Sequence, residues 1–358
     1  MSYLNIGNLR LHHQQVSQHL FDTPEAVVGW MGAMQGQGYS GVKWSIGLRL
    51  PNATDNQIEQ AILDKRIVRT WLLRDTLHIV AARDLHWMLR IVSEKLKRGN
   101  GARHRELELD SAVFAQSNDI LANAVQGDTV QTRDELFALL NQQGIVTTGQ
   151  RGIHILHQAT LEGILCQGVM QGKNATFYAM DTLKDHDRNV PIDEALALLA
   201  QRYFSSHGPA TLADLCRWAG ITKREGTVGF EAVRSQFVVE KINTSDFIFS
   251  DTNTATPSVY LLSDFDEFIL GYGDRSHVLI DPSHLQRIVP GGNGVFYPTV
   301  VADGRVVGTW KRLPKKNAIV IEITPFERLP DDFEARVYGT ALRFTQYHQM
   351  ETVTIQIG

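Results

Sequence analysis

Residues 67–80 read Ile67-Val68-Arg69-Thr70-Trp71-Leu72-Leu73-Arg74-Asp75-Thr76-Leu77-His78-Ile79-Val80. β-Branched and aromatic residues on either side of Arg74-Asp75 predict two strands across a tight connection. Helical patterns surround them. Residues 9–20 have helical character, Thr23-Pro24-Glu25 opens a second helix with a cap and a first-turn proline, and residues 39–50 give a third. Another short helix starts at Thr54, and a helix over residues 83–97 follows the strands. Helices that lead into a two-stranded hairpin are the winged-helix pattern, so this stretch decides the fold class as α+β.

The pattern recurs twice. Between residues 111 and 180, a helix through 120–125 precedes a helix over 132–142 whose Thr132-Arg133-Asp134-Glu135 has the form of a capping box. Gly149-Gln150 leads into a helix over 153–161, and strands over 163–169 and 175–180 flank the wing tip Gln171-Gly172-Lys173-Asn174. A third copy fits residues 193–250, with helices over 195–203, 211–219 and 223–233 and strands over 237–242 and 247–250. Linkers are expected over 99–108, 183–191 and 251–257. The last region is β-rich. Strands over 295–301 and 305–310 meet at Asp303-Gly304, which favours a tight type I′ turn, and a strand over 318–323, a helix over 331–346 and a strand over 352–357 complete it. The expected organisation is therefore tandem winged-helix domains over 1–100, 108–182 and 191–252, then a β-rich α/β C-terminal region over 257–358.

At 358 residues the chain exceeds a single ordinary core, which agrees with several units. No apolar stretch nears the roughly 20 residues that cross a bilayer, and the N-terminus lacks a basic region followed by an apolar core. A cytoplasmic location without membrane contact is expected. Cys166 and Cys216 match no zinc-ligand spacing and read as reduced core thiols. A net charge of −4 excludes coating of nucleic acid through bulk charge. Local basic segments remain, at Lys95, Lys97, Arg98, Arg103, His104 and Arg105, and at Lys311, Arg312, Lys315 and Lys316. Either group can meet phosphates; the first can equally complement a helix dipole.

Met34-Gln35-Gly36-Gln37-Gly38-Tyr39 follows an apolar run over 27–33 that reads as a helix. Two carboxamides separated by one glycine can face a small pocket if the backbone there is a turn or loop rather than a helix. They suit holding a water or a base edge. A carboxamide accepts and donates but does not ionise near neutrality, so chemistry at such a pair must need little acid or base help. The other reading makes both residues polar caps of the preceding helix.

The order and spacing of Gly32-Ala33-Met34-Gln35-Gly36-Gln37, Lys43-Trp44, Arg69-Thr70-Trp71, Arg74-Asp75-Thr76-Leu77-His78 and Thr148-Gly149-Gln150-Arg151 resemble the AlkZ and YcaQ superfamily of winged-helix DNA glycosylases. Asp264-Phe265-Asp266-Glu267, Gly273-Asp274-Arg275-Ser276, Pro290-Gly291-Gly292-Asn293-Gly294 and Gly308-Thr309-Trp310-Lys311-Arg312 extend the resemblance over nearly the whole chain. The superfamily motif is Gln, an apolar residue, then Gln or Asp. Gln35 and Gln37 match the AlkZ-like branch, and Gly36 departs from the apolar middle position.

The resemblance implies that Gln35 and Gln37 are catalytic and that the partner is damaged double-stranded DNA, with no cofactor. It implies hydrolysis of the glycosidic bond of cationic N7-alkylpurines, interstrand crosslinks included, by a water the two amides position. Three dissimilar winged units and no heptad or other dimerisation stretch fit a monomer wrapped around DNA. The alternative is a noncatalytic winged-helix DNA-binding protein or transcriptional regulator. Candidate phosphate contacts are Lys43, Arg69, Arg74, Arg151, Lys173, Arg275 and Lys311. Trp44 and Trp71 could stack bases, but helical spacing and an apolar strand favour core positions. His78 reads as a structural histidine. Asp264, Asp266 and Glu267 have no matching His or Asp cluster nearby, and no metal is expected.

Overall fold

The computed structural model describes residues 5–184, 190–251 and 258–358. The chain folds as two compact units, one made of Met1–Ile58 with Leu196–Gly358 and the other of Glu59–Ala195. Both mix helix and strand, as the α+β expectation requires.

The first unit begins with α1 (Ile6–His13), α2 (Pro24–Met31), β1 (Ala33–Gln35) and α3 (Tyr39–Leu48). The first helix is shorter than its expected span of 9–20. Its end lies at Gln14, and the left-handed backbone of Gln15 (φ 62°) breaks the helix there. Thr23 caps α2 through its hydroxyl, with Pro24 in the first turn as its sequence requires.

α4 (Asp55–Leu63) carries the chain into the second unit. There β2 (Ile67–Trp71) and β3 (Leu77–Ala81) pair antiparallel, joined by a turn in which Arg74 and Asp75 both have positive φ. α5 (Leu85–Gly99) and α6 (Gly101–Glu106) follow, so the linker expected over 99–108 is largely helical. Its Gly-Asn-Gly only kinks the chain, because the Asn100 amide donates to the Asp75 carboxylate and to Leu96 O and so anchors the bend.

α7 (Ser111–Ala124), β4 (Gln131–Thr132), α8 (Arg133–Gln142), α9 (Arg151–Leu161), β5 (Leu165–Gln171) and β6 (Asn174–Ala179) complete this unit. The capping box of Thr132 and Glu135 forms as the sequence anticipates. Five strands of the unit lie in the order β3-β2-β5-β6-β4. Leu121, Leu136, Leu140, Ile155 and Phe177, all fully or almost fully buried, pack the three helices on the β5–β6 hairpin. Cutting back one of these leucines should cost about 2–5 kcal/mol.

α10 (Ile192–His207) returns the chain to the first unit, where α11 (Leu212–Ala219) and α12 (Lys223–Val233) each begin with a capping box. β7 (Val238–Ile242) and β8 (Ser245–Phe249) make a hairpin. The expected linkers over 183–191 and 251–257 include residues 185–189 and 252–257, which lie outside the described residues. β9 (Val259–Leu262), α13 (Glu267–Leu270), α14 (Leu285–Ile288), β10 (Thr299–Ala302), β11 (Arg305–Pro314), β12 (Ala318–Pro325), α15 (Phe333–Tyr347) and β13 (Thr352–Ile357) form the rest. The sheet order is β13-β12-β11-β10-β9. Asp303 and Gly304, at φ 53° and 82°, make the tight turn between β10 and β11.

An aromatic cluster seats α3 in this unit. Trp44 meets Phe344 and Tyr347 edge to face, with centroids 4.9 and 5.0 Å away, and its indole donates to Leu261 O. Trp310 also packs on Phe344 and donates to Leu262 O. Because both indole N–H groups are satisfied on β9, the rings bury at little polar cost. The segment before α3 is thereby held beside the loop that follows β9. Among the described residues no helix is long and apolar enough to cross a membrane.

Candidate functional site

Gly32 ends α2 at φ 77°, a conformation that costs a side-chain-bearing residue dearly, and the chain turns into the short strand β1. Gln35 therefore stands on a strand and not on the expected loop. The strand ends at Gln35, Gly36 follows, and the chain bends at Gln37. The two glutamine amides meet. Gln35 Nε2 donates to Gln37 Oε1 at 2.5 Å. Gln35 is only 5 % exposed while Gln37 is at the surface, so the pair runs from the interior to solvent.

A buried carboxylate fixes the inner member. Glu267 Oε1 accepts the Gln35 backbone N–H at 2.9 Å, and Glu267 Oε2 accepts the Trp218 indole N–H at 3.0 Å. His207 Nε2 lies 3.5 Å from the same Oε2, and its ring stacks on Tyr203 with centroids 4.7 Å apart. Burial pushes the His207 imidazole below its ordinary pKa, although the nearby Glu267 carboxylate pulls the other way.

Asp266, next in the chain, locks the loop that carries Glu267. Arg49 donates to both its oxygens, at 3.0 and 2.9 Å, and Ser45 Oγ donates at 2.7 Å. The Asp266 carboxylate also caps α13 through the Phe268 N–H. Burial would raise the Asp266 carboxyl, but the Arg49 charge and these hydrogen bonds hold it below the usual range. Every donor and charge is matched, which is what lets an ion pair sit in the interior. Asp266 and Glu267 are thus committed to protein partners and, among the described residues, no group of three acidic, histidine or cysteine side chains is placed to hold a metal.

The candidate phosphate contacts divide between the units. In the unit bearing the glutamines, Lys43 pairs with Asp55 at 2.7 Å and is buried, Arg275 Nε donates to Ile269 O, and Lys311, largely exposed, pairs with Glu322 at 2.9 Å. In the other unit Arg69 is buried and donates to Gln167, and Arg151 donates to the carbonyls of Val146, Leu107 and Glu108. Arg74 occupies the left-handed turn between β2 and β3, and Lys173 stands exposed at the turn between β5 and β6. Trp71 meets His157 edge to face, and His78 is buried with Nδ1 at 3.0 Å from Thr76 O.

Glu267, Trp218 and His207 were not singled out by sequence as parts of this site. One signal was present: Asp266-Glu267 immediately precedes the apolar Phe268-Ile269-Leu270. Acids that enter the interior with such a segment must find donors there.

The uncharged amide pair reaches the surface with the buried Glu267 carboxylate behind it. The class is shown by comparison: the family described as DNA glycosylase AlkZ-like matches residues 28–347, so this is a DNA glycosylase. The chain belongs to that AlkZ-like family. It is 25% identical over 356 residues, 92% of each sequence, to the interstrand DNA cross-link repair glycosylase of Streptomyces sahachiroi. The solved structure of the DNA glycosylase AlkZ of the same organism superposes with a TM-score of 0.83 at 22% identity, covering 100% of both chains, which shows the shared fold.

Proposed function

We propose that the enzyme is a monofunctional glycosylase that hydrolyses the N-glycosidic bond of cationic N7-alkylpurines in duplex DNA, interstrand crosslinks among them. The bond between the Gln35 and Gln37 amides, with Glu267 behind it, carries this reading. An N7-alkylpurine bears a fixed positive charge, so the base departs without a general acid. Attack by water forms a C1′–O bond while the C1′–N9 bond breaks. The electron pair of the broken bond neutralises the imidazolium ring of the leaving base, and the water's proton passes to solvent after attack. The amides need only accept hydrogen bonds from the water and set their carbonyl dipoles toward the developing oxocarbenium charge. The crosslink repair named for the Streptomyces relative supports including bulky lesions.

The helix-and-hairpin segments over 1–100, 108–182 and 191–252 are read as winged-helix modules that grip phosphates, with 257–358 as the β-rich region. The exposed Lys173 and Lys311 are the first candidates for direct phosphate contact; Arg275, Arg69, Arg74 and Arg151 complete the proposed set, and Lys43, buried and paired with Asp55, leaves it. The enzyme is expected to bind as a monomer.

Single-turnover release of N7-methylguanine from an alkylated duplex tests the proposal, with Gln35→Ala, Gln37→Ala and the double variant beside the parent. Loss of at least about tenfold in rate, with DNA binding retained, is expected. A well-folded parent that binds DNA but releases neither N7-methylguanine nor a crosslink would overturn it. Equal release of uracil or 8-oxoguanine would remove the claim of cationic selectivity.

A further inference from the structure

Arg10 and Arg49 are both buried with no exposed surface, and they differ in what meets their charge. Arg49 donates to both oxygens of Asp266. The Arg10 guanidinium lies 3.4 Å from the centroid of the Tyr272 ring and donates from Nε to Pro209 O at 3.1 Å, while Nη1 is buried without an acceptor. No carboxylate among the described residues pairs with it. A charge in the interior is tolerated when it is paired, so Arg10 calls for an anion from outside the chain.

Room for one lies alongside. A cavity of about 290 Å³ is walled by Arg10, by Thr211 and Ala213 at the start of α11, by Ser245 of β8 and by His277. The size is just under the roughly 300–1,000 Å³ of small-molecule sites and suits a compact ligand. Arg217, exposed on the second turn of α11, lines it as well. The capping box of α11 occupies the Thr211 and Asp214 N–H groups and leaves those of Leu212 and Ala213 open at the positive end of the helix.

Two carboxylates share the wall, and both are engaged elsewhere. Asp214 accepts the Gly273 N–H at 2.8 Å, the Thr211 N–H at 2.9 Å and the Thr211 hydroxyl at 2.8 Å. Asp274 accepts the Ser276 N–H at 2.9 Å, stands 3.7 Å from His277 Nε2 and has a side chain 67 % exposed, where water screens its charge.

We infer that this cavity is a second ligand site and that it takes a phosphate group. Donors reach it from α1 and from two turns of α11, so the ligand must present acceptor oxygens in several directions. A tetrahedral phosphate does so, whereas a carboxylate has two oxygens in one plane. Guanidinium groups match phosphate oxygens in pairs, and open N–H groups at a helix start complete such sites. The group is free phosphate or a phosphate of a nucleic-acid strand. The site stands whether or not base release follows the proposed route.

Inorganic phosphate is titrated into the parent, Arg217→Glu and Arg10→Gln at constant ionic strength set with chloride. Binding is followed by calorimetry and by the NMR signals of the His277 ring, identified with His277→Gln. The parent should bind phosphate with a Kd of about 1 mM or tighter and shift those signals. Arg217→Glu, a change at an exposed position, should weaken binding by about tenfold or more, and folded Arg10→Gln should abolish it. A parent without saturable binding, or a folded variant that binds as the parent does, overturns the inference. Repeating the titration with saturating undamaged duplex separates the sources. Phosphate affinity lowered by about tenfold or more assigns the site to a strand phosphate, and unchanged affinity assigns it to the free anion.

Discussion

Gln35 donates its backbone N–H to Glu267 across 232 positions of sequence, at 2.9 Å. The acceptor is 1 % exposed and also takes the Trp218 indole, so one carboxylate ties β1 to α11 and α13. Glu267→Ala leaves both donors unmatched in the interior. Unpaired buried donors cost about 1–3 kcal/mol each, and a misplaced Gln35 should slow single-turnover base release by about 10- to 100-fold. Glu267→Gln supplies one carbonyl oxygen for two donors and should fall between alanine and parent. Parent-like rates in both variants would show that β1 holds its place without this contact.

The Asp266–Arg49 pair yields a larger effect on stability. Asp266→Ala strands a guanidinium with no exposed surface, and loss of one partner of a buried pair costs about 3–5 kcal/mol. Denaturant unfolding should show a midpoint shift of that size. A shift under about 1 kcal/mol would mean that water replaces the carboxylate.

Much of the fold was legible because its signals are local. Thr132 three residues before Glu135 forms the capping box its sequence announces, and Asp303-Gly304 makes its turn. The glutamine spacing pointed to the pair, although a turn or loop was expected where Gln35 stands on a strand. What closes the site was hidden because it is nonlocal. Nothing in residues 32–38 names Glu267, and Arg49 finds Asp266 only after the chain has folded back on itself. The compact units were equally hidden, since their boundaries fall inside α4 and α10 where no glycine or proline punctuates the sequence.

Histidines govern the response to acid. Burial pushes His12, His19, His104, His154, His207 and His277 below their ordinary pKa, and His348, pressed by burial and by Arg312, falls to about 4. An imidazole with a depressed folded pKa binds its proton more readily in the unfolded chain. Its stabilising contribution is therefore present above the unfolded value of about 6.5 and is lost as pH falls toward the folded one. Stability should decline from pH 6.5 to 4, while depressed carboxylates such as Asp266 add their loss only below about pH 3.9. His348→Gln should flatten part of the slope, less than full linkage would give because the ring is partly exposed. Unfolding free energies at pH 7.5 and 5 decide it, and equal values for the parent would refute the acid-lability argument.

Cations in different surroundings should respond differently to removal. Lys173 is exposed at the turn between β5 and β6, so Lys173→Ala should weaken binding uniformly across duplex sequences. Loss of one phosphate contact lowers the slope of log affinity against log salt by about one unit. Base release from saturated complexes should not change. Lys43 makes the opposite forecast: its side chain is 8 % exposed and paired with Asp55 at 2.7 Å, so Lys43→Ala should cost about 1–3 kcal/mol of stability through the unmatched carboxylate. Its salt slope should stay close to the parent's. A reduced slope for Lys43→Ala, beside an unchanged one for Lys173→Ala, would reverse the assignment and make the α3 face the DNA-binding surface.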